Sequence, residues 1–128
     1  MIAGLADTSV FIAIESGRPL NSDALPETLR VSVVTIGELH QGVLAATEPA
    51  VRARRLATLR RASAIEPIPV SSHVAEVWAL LRVQLRSVGR TMPVNDSWIA
   101  ATAMSLGIPV VTQDDDYDDA PGLQVIRV

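Results

Sequence analysis

Asp7, Glu38, Asp96 and Asp114 are the side chains in this sequence best suited to chemistry, because each stands next to a segment that a fold can bring to one sheet edge. Asp7 directly follows the apolar run 2–6, and Asp114 follows the run 108–112. Glu38 lies four residues past the β-branched run 29–34. In open α/β sheets, sites form outside the carboxyl ends of the strands. Length places Asp96. A helix over 96–106 spans about 16 Å at ~1.5 Å per residue. A five-residue strand after Gly107 spans about 16 Å at ~3.3 Å per residue. Packed antiparallel, the start of that helix comes level with the end of the strand, which predicts Asp96 beside Asp114. Four anions gathered on one edge need a cation, and hard divalent ions prefer oxygen ligands. Magnesium uses only one or two protein carboxylates, keeps several waters and leaves room for a phosphate. Such a site suits hydrolysis of a phosphodiester.

Each acid also has a plainer reading. Thr35 and Glu38 form a T-x-x-E pair, so Glu38 either caps its helix or joins the acids. Asp7 can be a turn or cap residue, and Asp96 can owe its position to the helix dipole. The stretch "VVTQDDDYDD" at 110–119 carries five aspartates. Asp118 and Asp119, close to Pro121 and Gly122, read as a solvated turn. His40 and His73 stand alone on helices, with no partner at metal-ligand spacing.

The elements that must position these acids can be read from periodicity. Strands are expected at 2–6, 29–34, 108–112 and 124–128, with "IEPIPV" at 65–70 as a short or edge strand because of its two prolines. Helices are expected after "DTS" through 10–14, at 35–46 and at 49–63. Another starts at Ser71 or Ser72, carries Val74, Val77, Trp78, Leu81, Leu85 and Val88 at helical spacing, and ends at Gly89. A last helix, capped by Asn95, packs Ile99, Ala103 and Leu106 and stops at Gly107. Strands alternating with helices predict an α/β fold with a mainly parallel sheet, as one domain over 1–128.

Composition narrows the function. The net charge of −3 argues against a broad basic footprint for nucleic acid, and four aromatic residues are too few for a base-stacking platform. Among basic residues there are eleven arginines and no lysine. That removes receiver domains, which need a lysine near the phosphoacceptor. "DTS" lacks the second aspartate of a D-x-D phosphatase. The absence of cysteine excludes thiolate metal sites and disulfides. The N-terminal stretch has no basic region and is interrupted by Asp7, so it does not read as a signal peptide, and a cytoplasmic protein is expected. No membrane span is expected, since the longest uncharged stretch, 97–113, is too short and contains Gly107 and Pro109. Two basic clusters remain. "RARRLATLRR" at 52–61 reads as a solvated helix face. Arg82, Arg86 and Arg90 form an i, i+4, i+8 stripe that is either another such face or a phosphate track, with Arg90 leading into the loop before Asp96.

The blocks "ADTSVFIA", "VVTIGELHQGV" and "GRTMPVNDSWIAATAMSLGIPVVTQDDDYDDAPGLQVI", in this order and spacing, resemble PIN-domain ribonucleases, specifically the VapC-type toxins of toxin–antitoxin pairs. The resemblance spans nearly the whole chain. It implies a three-layer α/β/α fold and a magnesium- or manganese-dependent endoribonuclease leaving 5′-phosphate and 3′-hydroxyl ends. It maps the family's first three acids onto Asp7, Glu38 and Asp96. Its last motif maps onto Thr112, Asp114, Asp116 and Tyr117, the last where phenylalanine is common. Thr8 or Ser9 and Thr112 match small hydroxyl residues beside the metal. The resemblance also implies an antitoxin that can push an arginine into the acidic pocket, a homodimer, and larger toxin–antitoxin assemblies. A non-catalytic PIN module that only binds a protein or RNA partner is the alternative, and no acid is missing to favour it.

Overall fold

The computed structural model describes residues 2–128. Among them the strands are β1 (Ala3–Ala6), β2 (Thr28–Arg30), β3 (Val110–Thr112) and β4 (Val125–Arg127), hydrogen-bonded in the order β2-β1-β3-β4. All three pairings are parallel. The helices are α1 (Thr8–Ser16), α2 (Val33–Ala45), α3 (Pro49–Ser63), α4 (Ser72–Ser87) and α5 (Val94–Leu106).

Alternation along the strands separates two cores. Leu5 and Val110 face Leu81, Leu85, Ile99 and Ala103 of α4 and α5. Their neighbours Ala6 and Val111 face Val10, Phe11, Leu39 and Leu59 of α1, α2 and α3. A period of two therefore feeds both faces of one sheet, giving the three-layer α/β/α arrangement. Gly4 allows β1 and β3 to approach, since a Cβ there would stand 2.6 Å from Val111 Cγ2. Gly107, at φ 67°, ends α5 in the left-handed conformation and turns the chain toward β3.

Several boundaries differ from the sequence expectation. The run 29–34 is not one strand: β2 ends at Arg30, and Ser32 caps a helix that opens at Val33, accepting from Val34 N at 3.0 Å. Thr35 is therefore inside the helix, and the T-x-x-E capping box does not form. "IEPIPV" makes only a single bridge, Ser32 to Ile68. Pro67 and Pro69 lack donors, so only Ile68 can pair on both sides, giving to Val31 O and accepting from Val33 N. The helix start expected at Asn95 lies earlier, with Pro93 at the cap and Asp96 in the first turn. The last two strands are shorter than expected, three residues each.

Candidate active site

Asp7 leaves β1 and caps α1, so the plainer reading holds for its backbone role. Its side chain does more than cap. Oδ1 accepts from Ser9 N at 3.1 Å and from Ser9 Oγ at 2.6 Å, and Oδ2 accepts from Thr112 Oγ1 at 3.0 Å. The two hydroxyls also receive the backbone beyond β3. Ser9 Oγ accepts from Gln113 N and Thr112 Oγ1 from Asp114 N. Ser9 and Thr112 thus tie the end of β1 to the acidic segment after β3. Asp7 is 2% exposed. Burial, the main cause, raises its pKa to about 6 against the pull of these hydroxyls, and Asp114 adds to the rise.

Glu38 stands in the second turn of α2, half-buried, and accepts from Thr8 Oγ1 at 2.6 Å. Thr8 also reaches Thr35 Oγ1 at 3.2 Å. A threonine at the start of α1 therefore holds the glutamate of α2 beside the strand ends, where its charge is felt by Tyr117.

Asp96 opens α5 and accepts from the Tyr117 hydroxyl at 3.2 Å. Its pKa rises to about 7, through burial first, then the adjoining Asp116 carboxyl, with a smaller push from Asp7. The expectation that Asp114 would stand opposite Asp96 needs correction. Asp116 is the acid beside Asp96, while Asp114 adjoins Asp7 and Asp116. The cause is a 3₁₀ turn, Asp115–Tyr117, which carries the chain across the helix start and shifts the facing position by two residues. Asp114 is exposed and also raised, by partial burial and Asp116, with Arg18 and Arg127 pulling the other way.

The remaining aspartates look elsewhere. Asp115 and Asp118 pair with Arg127 at 2.7 and 2.9 Å, on the outer side of β4. Asp119 adopts φ 60° and meets Arg90 at 3.8 Å. Sequence reasoning missed Arg127 as the partner of Asp115 and Asp118. It also missed a brace behind Asp96. Trp78 of α4 donates through Nε1 to Ser97 Oγ at 3.0 Å and stacks on Trp98 with ring centroids 4.2 Å apart. Arg82 Nη1 donates to Met92 O at 3.2 Å. These contacts fasten the first turn of α5, which carries Asp96, to α4. In the basic cluster at 52–61, Arg52 donates to Ala46 O and Arg55 to Gly42 O, so two of its members staple α3 to the end of α2.

The donors offered here are carboxylate and hydroxyl oxygens, the chemistry a hard divalent cation requires. Among the described residues, no three acids or histidines stand close enough to form a ready-made metal cage. The four acids share a sheet edge more loosely than the length argument implied. Magnesium fits such a site, because one or two carboxylates and waters complete its shell.

Comparison with known proteins identifies the family. The PIN domain family model matches residues 5–123. Ribonuclease VapC5 of Mycobacterium tuberculosis is 49% identical over 129 residues, covering 98% of this chain and 96% of that protein. Ribonuclease VapC4 of the same organism is 48% identical over 124 residues, covering 97% of this chain and 95% of its own length. The crystal structure of VapBC-5 from Mycobacterium tuberculosis, a member of the VapBC family of toxin–antitoxin systems, contains a chain that superposes with a TM-score of 0.91 at 45% identity, over all of both chains. With its parallel sheet, its acids at the strand ends and these relatives, the chain belongs to the PIN-domain family and is of the VapC type.

Proposed function

We propose that this protein is a VapC ribonuclease toxin, a divalent-metal-dependent endoribonuclease that hydrolyses RNA phosphodiesters and is held in check by a protein antitoxin. The observation that carries the reading is the placement of buried Asp7 and half-buried Asp96 at one strand-end edge, where burial and neighbouring carboxyls raise their pKa values to about 6 and about 7. Carboxylates held this way at a strand-end edge cost stability, and a cation and a phosphate relieve that cost.

Mg²⁺ would sit among Asp7, Asp96, Asp114 and Asp116, one or two of them binding it directly and the others through water, with Mn²⁺ able to replace it. The bound ion supplies charge neutralisation at the phosphate and Lewis acidity toward the attacking water. Ser9 and Thr112 keep Asp7 in one rotamer, and Thr8 keeps Glu38 aimed at the same edge. Glu38, outside this ligand set, can take up the proton that water loses on attack. Water oxygen bonds to phosphorus and the P–O3′ bond breaks, leaving a 5′-phosphate and a 3′-hydroxyl that gains a proton.

Partners follow from the same reading. VapC5-like neighbours occur in toxin–antitoxin complexes, and some distant neighbours of the same fold were solved with promoter DNA bound. For this chain we assign the antitoxin to the face bearing Ile12, Ile14 and Leu44, which are 44%, 48% and 69% exposed beside a groove lined by Glu38 and Arg55. A homodimer and toxin–antitoxin hetero-oligomers are part of the proposal, as is a cytoplasmic location. Among the described residues, no helix is long and apolar enough to cross a membrane. The test is to map new 5′ ends in total RNA exposed to the protein and to Asp96→Asn. Ends made only by the wild type, and only with Mg²⁺ or Mn²⁺, support the proposal. Equal ends from both proteins contradict it.

A further inference from the structure

We propose that the cavity between the end of α4 and the loop before α5 binds a backbone phosphate of the RNA strand flanking the cleaved bond. This deepens the ribonuclease reading and rests on it. The cavity holds about 330 Å³ and is lined by Arg82, Arg86 and Arg90 with Thr91 and Met92, and by no carboxylate. Three guanidinium groups around one space repel one another. The fold uses only one of them fully: Arg82 donates to Met92 O and lies 5.9 Å from the Trp78 ring centre. Arg90 reaches Asp119 at 3.8 Å, while its Nε is buried with no hydrogen-bond partner among the described residues. Arg86 is exposed and makes no hydrogen bond or ion pair among them. A buried N–H without an acceptor is costly, and a phosphate oxygen in the cavity satisfies it. Planar guanidinium forks match phosphate oxygens well.

RNA is favoured over an acidic protein segment by where the cavity leads. Met92 lines it and lies four residues before Asp96, so a strand seated on the acids continues along this wall. The chain carries a net charge of −3, and its acidic edge repels RNA. A local cluster of cations offsets that repulsion where the strand enters.

The experiment measures binding separately from cleavage. A fluorescein-labelled single-stranded oligoribonucleotide is titrated into Asp96→Asn protein at several salt concentrations, with and without Arg86→Ala or Arg86→Glu. Arg86 is exposed and unpartnered, so these variants keep the fold, and melting curves verify it. Arg86→Ala lowers the slope of log affinity against log salt by about 0.7, and Arg86→Glu weakens binding by about tenfold. Inorganic phosphate provides a second readout, because Arg82, which lines the cavity, lies over the Trp78 ring and Trp78 stacks on Trp98, so intrinsic fluorescence reports the cavity. A phosphate-dependent change lost in Arg86→Glu supports the site. Unchanged affinity and slope in both variants overturn it. So does a polyglutamate peptide that changes the fluorescence while RNA binding ignores Arg86, which makes the cavity a protein site. Wild-type protein that cleaves RNA although binding ignores Arg86 refutes this cavity alone. RNA binding that depends on Arg86 in a protein that never cleaves leaves the cavity standing and removes the ribonuclease reading.

Discussion

Tyr117 donates its hydroxyl to Asp96 Oδ1 over 3.2 Å, and this bond draws the pKa of Asp96 down against burial and Asp116. The ring is fully buried in the core under α5, so Tyr117→Phe keeps the packing and removes only the donor. The variant loses about 1 kcal/mol of stability, the usual worth of one hydrogen bond. Its Asp96 pKa rises, so the acid limb of the cleavage pH profile moves to higher pH. Parallel pH profiles of both proteins in Mn²⁺ check this, and an unmoved limb would separate Tyr117 from the chemistry of Asp96.

Stability without metal should fall as pH rises from about 4 to 7.5. The folded pKa values of Asp7 and Asp96, about 6 and about 7, lie above the ordinary 3.8. In that window the folded state binds more protons than the unfolded one, so raising pH favours unfolding. For Asp7 alone the loss at pH 8 is about 3 kcal/mol. Binding of Mn²⁺ to the folded state offsets it by mass action. Chemical denaturation at pH 5 and pH 8 in EDTA tests the sign. A metal-free protein more stable at pH 8 means that the acids are not under strain.

The five aspartates of 114–119 should separate into two classes. Asp114→Asn and Asp116→Asn both impair cleavage and leave the metal-free protein as stable or more so. Asp115→Asn and Asp118→Asn loosen exposed pairs with Arg127, cost well under 1 kcal/mol, and cleave normally. Asp119→Asn keeps a residue type that tolerates positive φ and also cleaves normally. Loss of cleavage in Asp115→Asn with full activity in Asp114→Asn would show the segment is turned the other way.

Arg52 and Arg55 serve the fold. Arg52→Ala removes a 2.8 Å bond to Ala46 O and lowers stability by about 1 kcal/mol, with the salt dependence of RNA binding unchanged. A thermal melt beside a salt titration separates this role from that of Arg86. A flattened salt slope in Arg52→Ala would make the cluster at 52–61 an RNA contact.

Local signals were strong where one residue decides an ending. Pro49 and Ser63 bound α3 as the sequence suggests, Ser71 caps α4 by accepting from Val74 N, and Gly107 ends α5. The apolar runs at 2–6 and 108–112, alternating with helices, made the parallel sheet legible, and in the structure Leu5 and Val110 face one core while Ala6 and Val111 face the other. The errors lie where tertiary contacts outweigh propensity. Val33 and Val34 are β-branched, yet Ser32 caps a helix over them. The 3₁₀ turn at Asp115–Tyr117 has no hydrophobic period to announce it, so a ruler along the strand put Asp114 where Asp116 stands. Trp78 and Ser97 are nineteen positions apart, and only the packing of α4 on α5 brings them together.

The most direct measurement of the central claim is cleavage of total RNA by purified, antitoxin-free protein in Mn²⁺, in EDTA and as Asp96→Asn, with thermal melting of each sample. Wild-type protein in Mn²⁺ should produce discrete fragments with 5′-phosphate ends and a raised melting temperature. EDTA should abolish the fragments and lower the melting temperature, and Asp96→Asn should fold, melt at or above the metal-free wild type, and not cut. Equal cleavage in EDTA, or by a well-folded Asp96→Asn protein, would contradict a metal-dependent site built on Asp96.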